Sequence, residues 1–208
     1  MKTIRAIALL VAFALSFALH APAAAADEDY GGADAGILIY SAGSIAMPLA
    51  FEFRYRRIGL PAGAAASDWS GRIESRTGGF SRAHVSGAEY SGRETGRVFV
   101  RRLPPGNYEV HGFRFAGTRQ FRSRRPFSIP FTIRPGQATY IGNFARAPSL
   151  GTPLQRTLGA VGFFVISDRS ERDVALARGR FPELPPVTVE VTDVTAFGHT
   201  MLLAREPQ

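Results

Sequence analysis

Regular alternation of apolar and polar side chains is the feature that most restricts how this chain can fold. In residues 49–56 every odd position is apolar, and the even positions are mostly charged. The same period of two recurs in residues 127–133 and 187–192. Because successive side chains of a β-strand leave opposite faces of the sheet, this pattern is typical of half-buried strands. The alternation therefore predicts an all-β fold.

Two other segments, and one proline, indicate where strands lie within a sheet. Residues 37–40 and 161–166 contain no charged side chain and are apolar at both parities, which is typical of central strands. Pro130 has no N–H to donate. Its strand is therefore predicted to lie at a sheet edge, or to direct this position to solvent.

One predicted strand changes its apolar parity part of the way along. Tyr108 and Val110 share one face, whereas the next two phenylalanines, Phe113 and Phe115, fall on the other. Gly112 stands at the change. A β-bulge there is predicted to return both phenylalanines to the core.

Proline–glycine turns and one short helix complete the predicted elements. Residues 103–106 and 134–137 each contain Pro followed by Gly, as a type II turn requires, and two hairpins are predicted. Residues 169–178 are predicted to form a short surface helix that ends at Gly179. Ser170 and Asp173 have the spacing of a capping box at its start.

The amino end has the pattern of a secretory signal peptide. Lys2 and Arg5 precede an apolar run over residues 7–19, and small residues at Ala24 and Ala26 suit a signal peptidase. Cleavage is predicted after Ala26, so the protein is expected to be periplasmic or secreted. An uncleaved anchor is the alternative, but the run falls short of the roughly 20 apolar residues that span a bilayer. The mature chain is therefore expected not to span a membrane.

Composition narrows the class of protein further. The chain contains no cysteine, which excludes a lipoprotein, a disulfide framework and a cysteine nucleophile. Lys2 is the only lysine, so every basic residue after the leader is arginine, and the formal net charge of +8 becomes +6 once the leader is removed. The predicted organisation is a signal peptide at 1–26, a flexible mature amino end at 27–35, and one domain at 36–204. Residues 61–96, rich in Gly, Ser and Ala, are predicted to be a long irregular insertion.

The segment from Leu103 to Val110 reads Leu-Pro-Pro-Gly-Asn-Tyr-Glu-Val. It resembles the L-P-P-G-x-Y-x-V turn of carboxypeptidase-regulatory-like and transthyretin-like domains, and the resemblance covers about residues 97–144. It implies an immunoglobulin-like (prealbumin-type) antiparallel β-sandwich, a fold of seven strands. For the whole chain we expect about 7–9 strands and one short surface helix that departs from this family pattern, preceded by the signal-peptide helix. It also implies that Tyr108 and Val110 enter the core. The motif carries no active site, so the resemblance implies a fold and not a reaction.

Catalytic patterns are weak in this sequence. It has no G-x-S-x-G elbow, and its mature histidines, His84, His111 and His199, lack metal-ligand spacing, so no metal, cofactor or catalytic residue is predicted. The carboxylates Asp168, Glu171 and Asp173 support the alternative of a hydrolytic or glycan-active enzyme. Interleaved arginines instead favour helix capping and local ion pairs for these residues.

The sharpest cluster is a set of arginines among phenylalanines, predicted to bind anions: Arg114, Arg119, Arg122, Arg124 and Arg125. Guanidinium groups suit phosphates and carboxylates, so the expected partner is anionic lipid, lipopolysaccharide, acidic glycan or another envelope protein. Export argues against nucleic acid. Trp69 is either a sugar-stacking residue or a lid on the sandwich. The sequence thus predicts an exported, non-enzymatic protein with a binding or accessory role, with a carbohydrate-binding or protein-interaction module as a further alternative.

Overall fold

The structure, a computed structural model, consists mainly of β-strands that form two sheets. It describes residues 29–45, 51–60, 69–75, 88–115, 121–123, 125–148, 162–198 and 202–203. The strands in these ranges are β1 Gly36–Ile45, β2 Phe51–Ile58, β3 Ser70–Glu74, β4 Glu94–Leu103, β5 Gly106–Phe115, β6 Phe121–Arg122, β7 Ile129–Ile133, β8 Ala138–Pro148, β9 Gly162–Ser167, β10 Val187–Val189 and β11 Leu202–Leu203. One α-helix, α1 (Ser170–Arg180), follows β9, and a 3-10 helix spans Val194–Phe197.

The two sheets confirm the prediction of a mainly β fold with one helix. The first sheet has the order β11-β9-β8-β1-β4, with β10 also paired to β8. The second has the order β3-β2-β5-β6, with β7 also paired to β5. The expected count of about 7–9 strands is too low for the described residues, because the two-residue strands β6 and β11 carry too little alternation to be recognised. The expected antiparallel arrangement is wrong for the first sheet, where β1 runs parallel to β8 and β10 also pairs with β8 in parallel.

Aromatic rings from both sheets interlock in the core. The ring of Phe53 in β2 lies 5.1 Å from that of Phe144 in β8 and 4.4 Å from that of Phe164 in β9. Phe51 and Tyr55 are buried beside it, as the alternation of β2 predicts. Aromatic pairs at such distances add to the stability that burial provides.

The first sheet is covered on its other face too. Ala177 of α1 packs there against Ile39, Val98 and Tyr140, all of which are buried. This second layer explains why residues 37–40 are apolar at both parities. In residues 161–166, Val165 packs instead in a separate cluster with Ile45, Ala145 and Ala147. The prediction of both segments as central strands is confirmed, since β1 lies between β8 and β4, and β9 between β8 and β11.

The prediction of two hairpins is wrong. The first proline–glycine turn joins β4 of the first sheet to β5 of the second, and the other joins β7 of the second to β8 of the first. At residues 134–137 the N–H of Gln137 donates to the carbonyl of Arg134 at 3.3 Å, and Gly136 has φ +63°. A tight turn reverses the direction of the chain, but it does not determine which strands pair with each other. Both turns therefore carry the chain from one sheet to the other.

The bulge predicted at Gly112 and the return of Phe113 to the core are confirmed, as is the position predicted for Pro130. Arg54 pairs with Gly112 and the next residue, Tyr55, pairs with Val110, which leaves His111 as the extra residue of a bulge. Phe113 is buried beyond it, whereas the side chain of Phe115 lies outside the description. Pro130 is exposed, and in the described part of the chain β7 pairs only with β5.

Several predictions fall on residues outside the described ranges. They include the signal peptide at 1–26 and residues 61–68 and 76–87 of the predicted insertion. The insertion also contains β3, and β4 begins within it at Glu94. Over the described ranges, no helix is both long enough and apolar enough to cross a membrane.

We predict that Tyr108→Phe destabilises the fold by about 1–3 kcal/mol, the cost of leaving a buried acceptor without its donor. The buried hydroxyl of Tyr108 donates to the carbonyl of Pro104 at 2.8 Å, and burial raises its pKa to about 12, so it keeps its proton. Urea denaturation measures the loss. The control is Tyr30→Phe, which removes an exposed 2.8 Å bond to Asp34 and is expected to change little. Equal effects of the two substitutions would contradict the prediction.

Candidate functional site

A buried polar network joins helix α1 to the first sheet. Its members, Ser41 of β1, Tyr140 and Asn143 of β8, and Asp173 of α1, are fully buried. Asp173 Oδ2 lies 2.5 Å from Ser41 Oγ and accepts from Tyr140 Oη at 2.6 Å. Its other oxygen, Oδ1, accepts from Arg172 Nε at 2.8 Å. The carboxylate therefore contacts donors from β1, β8 and its own helix.

A second bulge brings this network together. Ile39 pairs with Tyr140, but Ser41 pairs with Asn143, so β8 has one residue more than β1 over this stretch. Gly142, at φ +122°, lies within this bulge. In regular β structure Tyr140 and Asn143 would lie on opposite faces. The bulge places both beneath α1.

Tyr90 extends the network towards the surface. Its hydroxyl lies 3.2 Å from both Asn143 Oδ1 and Glu94 Oε1. The ring fits only because Gly43 and Gly96, which face each other on β1 and β4, have no side chain. A Cβ atom at Gly96 would lie 2.2 Å from the hydroxyl oxygen of Tyr90 and 2.6 Å from a backbone carbonyl.

The two tyrosines of the network remain hydrogen-bond donors at neutral pH. Burial raises the pKa of Tyr90 and of Tyr140, and the negative charges of Glu94 beside Tyr90 and of Asp173 beside Tyr140 raise them further. Burial acts to lower the pKa of Arg172, but the hydrogen bond and charge of Asp173 outweigh it, so that pKa is raised. Arg172 also lies with its guanidinium carbon 3.6 Å from the ring centroid of Tyr90.

A cleft of about 730 Å³ opens directly above this network. One wall is formed by Tyr90, Ser91, Arg93 and Glu94, and the other by residues 168–172. The lining contains three arginines and three carboxylates, so its formal charges balance. It is a polar cleft that can both donate and accept hydrogen bonds.

The acidic residues singled out from the sequence have different positions. Asp168 and Glu171 line the cleft and are exposed, whereas Asp173 is buried beneath it. The predicted capping box is wrong, because Asp173 bonds within the network and Asp168 Oδ1 instead accepts from the N–H of Ser170 at 2.8 Å. The predicted end at Gly179 is also wrong, since α1 continues to Arg180.

The histidines do not join this site in the described part of the chain. The cleft lining contains none, and the described residues hold no group of His, Asp or Glu able to bind a metal ion. His111 lies in the bulge of β5 in the second sheet. Burial and the nearby charge of Arg56 lower the pKa of His111. His84 and His199 lie outside the described residues.

The predicted arginine cluster is described only in part. Arg114 donates through Nε and Nη2 to Glu52 Oε2 at 3.0 and 2.7 Å. Arg122 pairs with Arg114 through the backbone, although its side chain is not described. Arg125 is exposed and donates to the carbonyl of Gly198 at 3.2 Å. Arg119 and Arg124 lie outside the described residues.

Arginines that the sequence analysis did not select as a binding site surround Arg114 on the outer face of the second sheet. We call this surface the arginine face; its described residues are Glu52, Arg54, Arg56, Arg72, Glu74, Glu109 and Arg114. The side chains of Arg54, Arg56 and Arg72 are 53, 50 and 44% exposed. Each lies beside a carboxylate, at 2.7 Å from Glu52, 2.7 Å from Glu109 and 3.7 Å from Glu74 respectively. The alternation of β2 was the available signal, since it places Arg54 and Arg56 on one face.

Trp69 is packed rather than open. It is partly buried against the core cluster, and its ring meets that of Tyr30 edge-on with the centroids 5.1 Å apart. This position is that of a lid on the sandwich.

Comparisons with known proteins provide no relative from which a function could be transferred. No family model, curated protein or solved structure matches this chain. The function is therefore inferred from the geometry of the cleft and of the arginine face.

We predict that Asp173→Asn destabilises the protein by about 3 kcal/mol, near the lower end for breaking a buried ion pair because Arg172 keeps some contact with water. The measurement is urea denaturation at neutral pH. Glu171→Gln is the control, since Glu171 is exposed on the same turn and its replacement is expected to cost no more than about 0.5 kcal/mol. If both variants unfold at the same urea concentration, the assigned role of Asp173 is incorrect.

Proposed function

We propose that this chain is an exported, non-enzymatic β-sandwich protein of the periplasm or outer envelope, and that it binds the anionic surface of phosphate-bearing lipids. The single observation that carries the proposal is the arginine face. Three exposed guanidinium groups lie there on the neighbouring strands β2 and β3, and each is held beside a carboxylate.

The carboxylates orient these arginines without using all their donors. A guanidinium has five N–H groups, and a neighbouring carboxylate engages only one or two of them. Arg54 and Arg72 are directly opposite each other across β2 and β3, so two guanidinium groups lie close together. The four arginines of the face exceed its three glutamates, which leaves a formal excess of one positive charge. A phosphate oxygen approaching from solvent meets donors whose positions are already restricted, so less side-chain entropy is lost on binding.

The shape and charge of the surface favour a membrane over a small ligand. The face extends over the neighbouring strands β3, β2 and β5, and basic residues near an anionic membrane contribute about 1 kcal/mol each. The formal net charge of +6 without the leader adds long-range attraction to the same target.

The leader and the Leu-Pro-Pro-Gly turn support the remaining parts of the proposal. A cleaved leader would deliver the chain to the compartment where such lipids face it. Tyr108 and Val110 are fully buried after the turn, as the resemblance to carboxypeptidase-regulatory-like domains implies. This supports an immunoglobulin-like, prealbumin-type sandwich. Full burial of Asp173 removes one of the three carboxylates of the enzyme alternative from the reach of a substrate, whereas Asp168 and Glu171 are exposed in the cleft.

We predict that the double variant Arg54→Ser, Arg72→Ser reduces binding to phosphatidylglycerol vesicles at least fivefold. The loss is expected to be larger at 50 mM than at 300 mM salt, because surface charges are screened as salt rises, with a Debye length of about 10 Å at 0.1 M. Vesicle co-sedimentation of the mature chain measures it. The matched control is Arg134→Ser, Arg178→Ser, which removes the same charge elsewhere and is expected to cost less than twofold.

Further measurements test which anion is bound and whether the arginine cluster predicted from the sequence contributes to binding. Phosphatidylcholine vesicles should not bind, and soluble polygalacturonate should not compete. Arg122→Ser, Arg124→Ser, Arg125→Ser should weaken binding to the same anionic vesicles if the adjoining segment contributes to the surface. Equal loss in the Arg54/Arg72 variant and the control would overturn the proposal, as would displacement by the polysaccharide.

A further inference from the structure

The cleft above the Asp173 network lies on another part of the molecule and has a chemistry unlike that of the arginine face. It is formed beside α1, which packs on the first sheet, whereas the arginine face belongs to the second sheet. Its volume of about 730 Å³ lies within the range of roughly 300–1,000 Å³ found for small-molecule sites. A ligand of one or two sugar units fits within it with space to spare.

Two contacts hold Arg172 in position at the edge of the cleft. Its Nε atom donates to Asp173 at 2.8 Å, and its guanidinium group lies against the ring of Tyr90. Nη2 of the same group is buried and has no hydrogen-bond partner among the described residues. That atom is closed to solvent, but the Arg172 side chain as a whole is 31% exposed, so a ligand in the cleft can reach the open part of its guanidinium group. A carboxylate oxygen is the acceptor that a guanidinium binds best.

The carboxylates of the cleft restrict what else the ligand can carry. Glu94, Asp168 and Glu171 balance the three arginines, so a polyanion would be repelled by half of the lining. Carboxylates accept hydrogen bonds from hydroxyl groups. The complementary ligand has several hydroxyl groups and one carboxylate.

We propose that this cleft binds an acidic sugar, with the sugar carboxylate on Arg172 and its hydroxyl groups on Glu94 and Glu171. The base of the site is rigid, because Tyr90 lies on Gly43 and Gly96 and its hydroxyl lies near Asn143 of the buried network. Rigid support of this kind reduces the entropy lost when a ligand binds. The inference does not depend on lipid binding by the arginine face.

The test uses the mature chain and D-glucuronate as the probe, with binding measured by isothermal titration calorimetry. Glucuronate is expected to bind at millimolar concentration or below, and D-glucose at least tenfold more weakly because it lacks the carboxylate. Arg172→Gln should weaken glucuronate binding at least tenfold. Glu171→Gln should weaken both sugars, since this exposed side chain accepts from a hydroxyl group.

Two controls keep the test decisive. Arg178→Gln removes an exposed arginine of the same helix that does not line the cleft, and it should bind glucuronate as the unaltered chain does. The Arg54/Arg72 variant should also bind it normally, so failure here and failure of lipid binding are separable. If Arg172→Gln does not fold, Glu171→Gln decides. Absence of glucuronate binding, equal binding of glucose, or stronger binding of the zwitterion glycine would overturn the proposal.

Discussion

The carboxylate of Asp173 is the contact on which the arrangement of the first sheet and its helix depends. A fully buried charge is tolerated only when hydrogen bonds and an opposite charge compensate its loss of water. Asp173 obtains both from Ser41, Tyr140 and Arg172, which belong to different elements. These contacts restrict how α1 can lie on the sheet, because a shift would leave the charge without its donors. Through Arg172 the same charge also positions Tyr90, and with it one wall of the cleft.

Each sheet contains a bulge at a glycine, and each bulge changes which side chains face the core or the helix. The bulge at Gly112 returns Phe113 to the core, and the bulge at Gly142 places Tyr140 and Asn143 together beneath the helix. One bulge therefore serves apolar packing and the other serves a polar network. In both cases one extra residue shifts the alternation, so the side chains that follow it in the strand point to the opposite face of the sheet from the one they would otherwise occupy.

The outer faces of the two sheets differ for a related reason. The first sheet is covered by α1 and carries uncharged side chains such as Ser41, Tyr140 and Asn143 beneath it. The second sheet presents arginines to solvent, and each of the three exposed ones lies beside a glutamate. Arg54 and Arg72 lie directly opposite each other across β2 and β3, where like charges repel. The neighbouring glutamates compensate this repulsion. In the described part of the chain, the polar cleft thereby lies beside the first sheet and the arginine face lies on the second.

The sequence by itself determined the features that depend on neighbours along the chain. Alternation showed which side chains of β2 enter the core, the change of parity located the bulge at Gly112, and the missing N–H of Pro130 placed its strand at an edge. Only the tertiary structure decided the features that depend on residues far apart. Strand partners, the burial of Asp173 and the assembly of the arginine face arise from contacts across more than a hundred residues or between different strands. Local spacing predicted a helix cap at Asp173 and hairpins at the proline–glycine turns. Both predictions were wrong because a local pattern indicates where a side chain points or where the chain turns. It does not indicate which distant residue or strand is the partner.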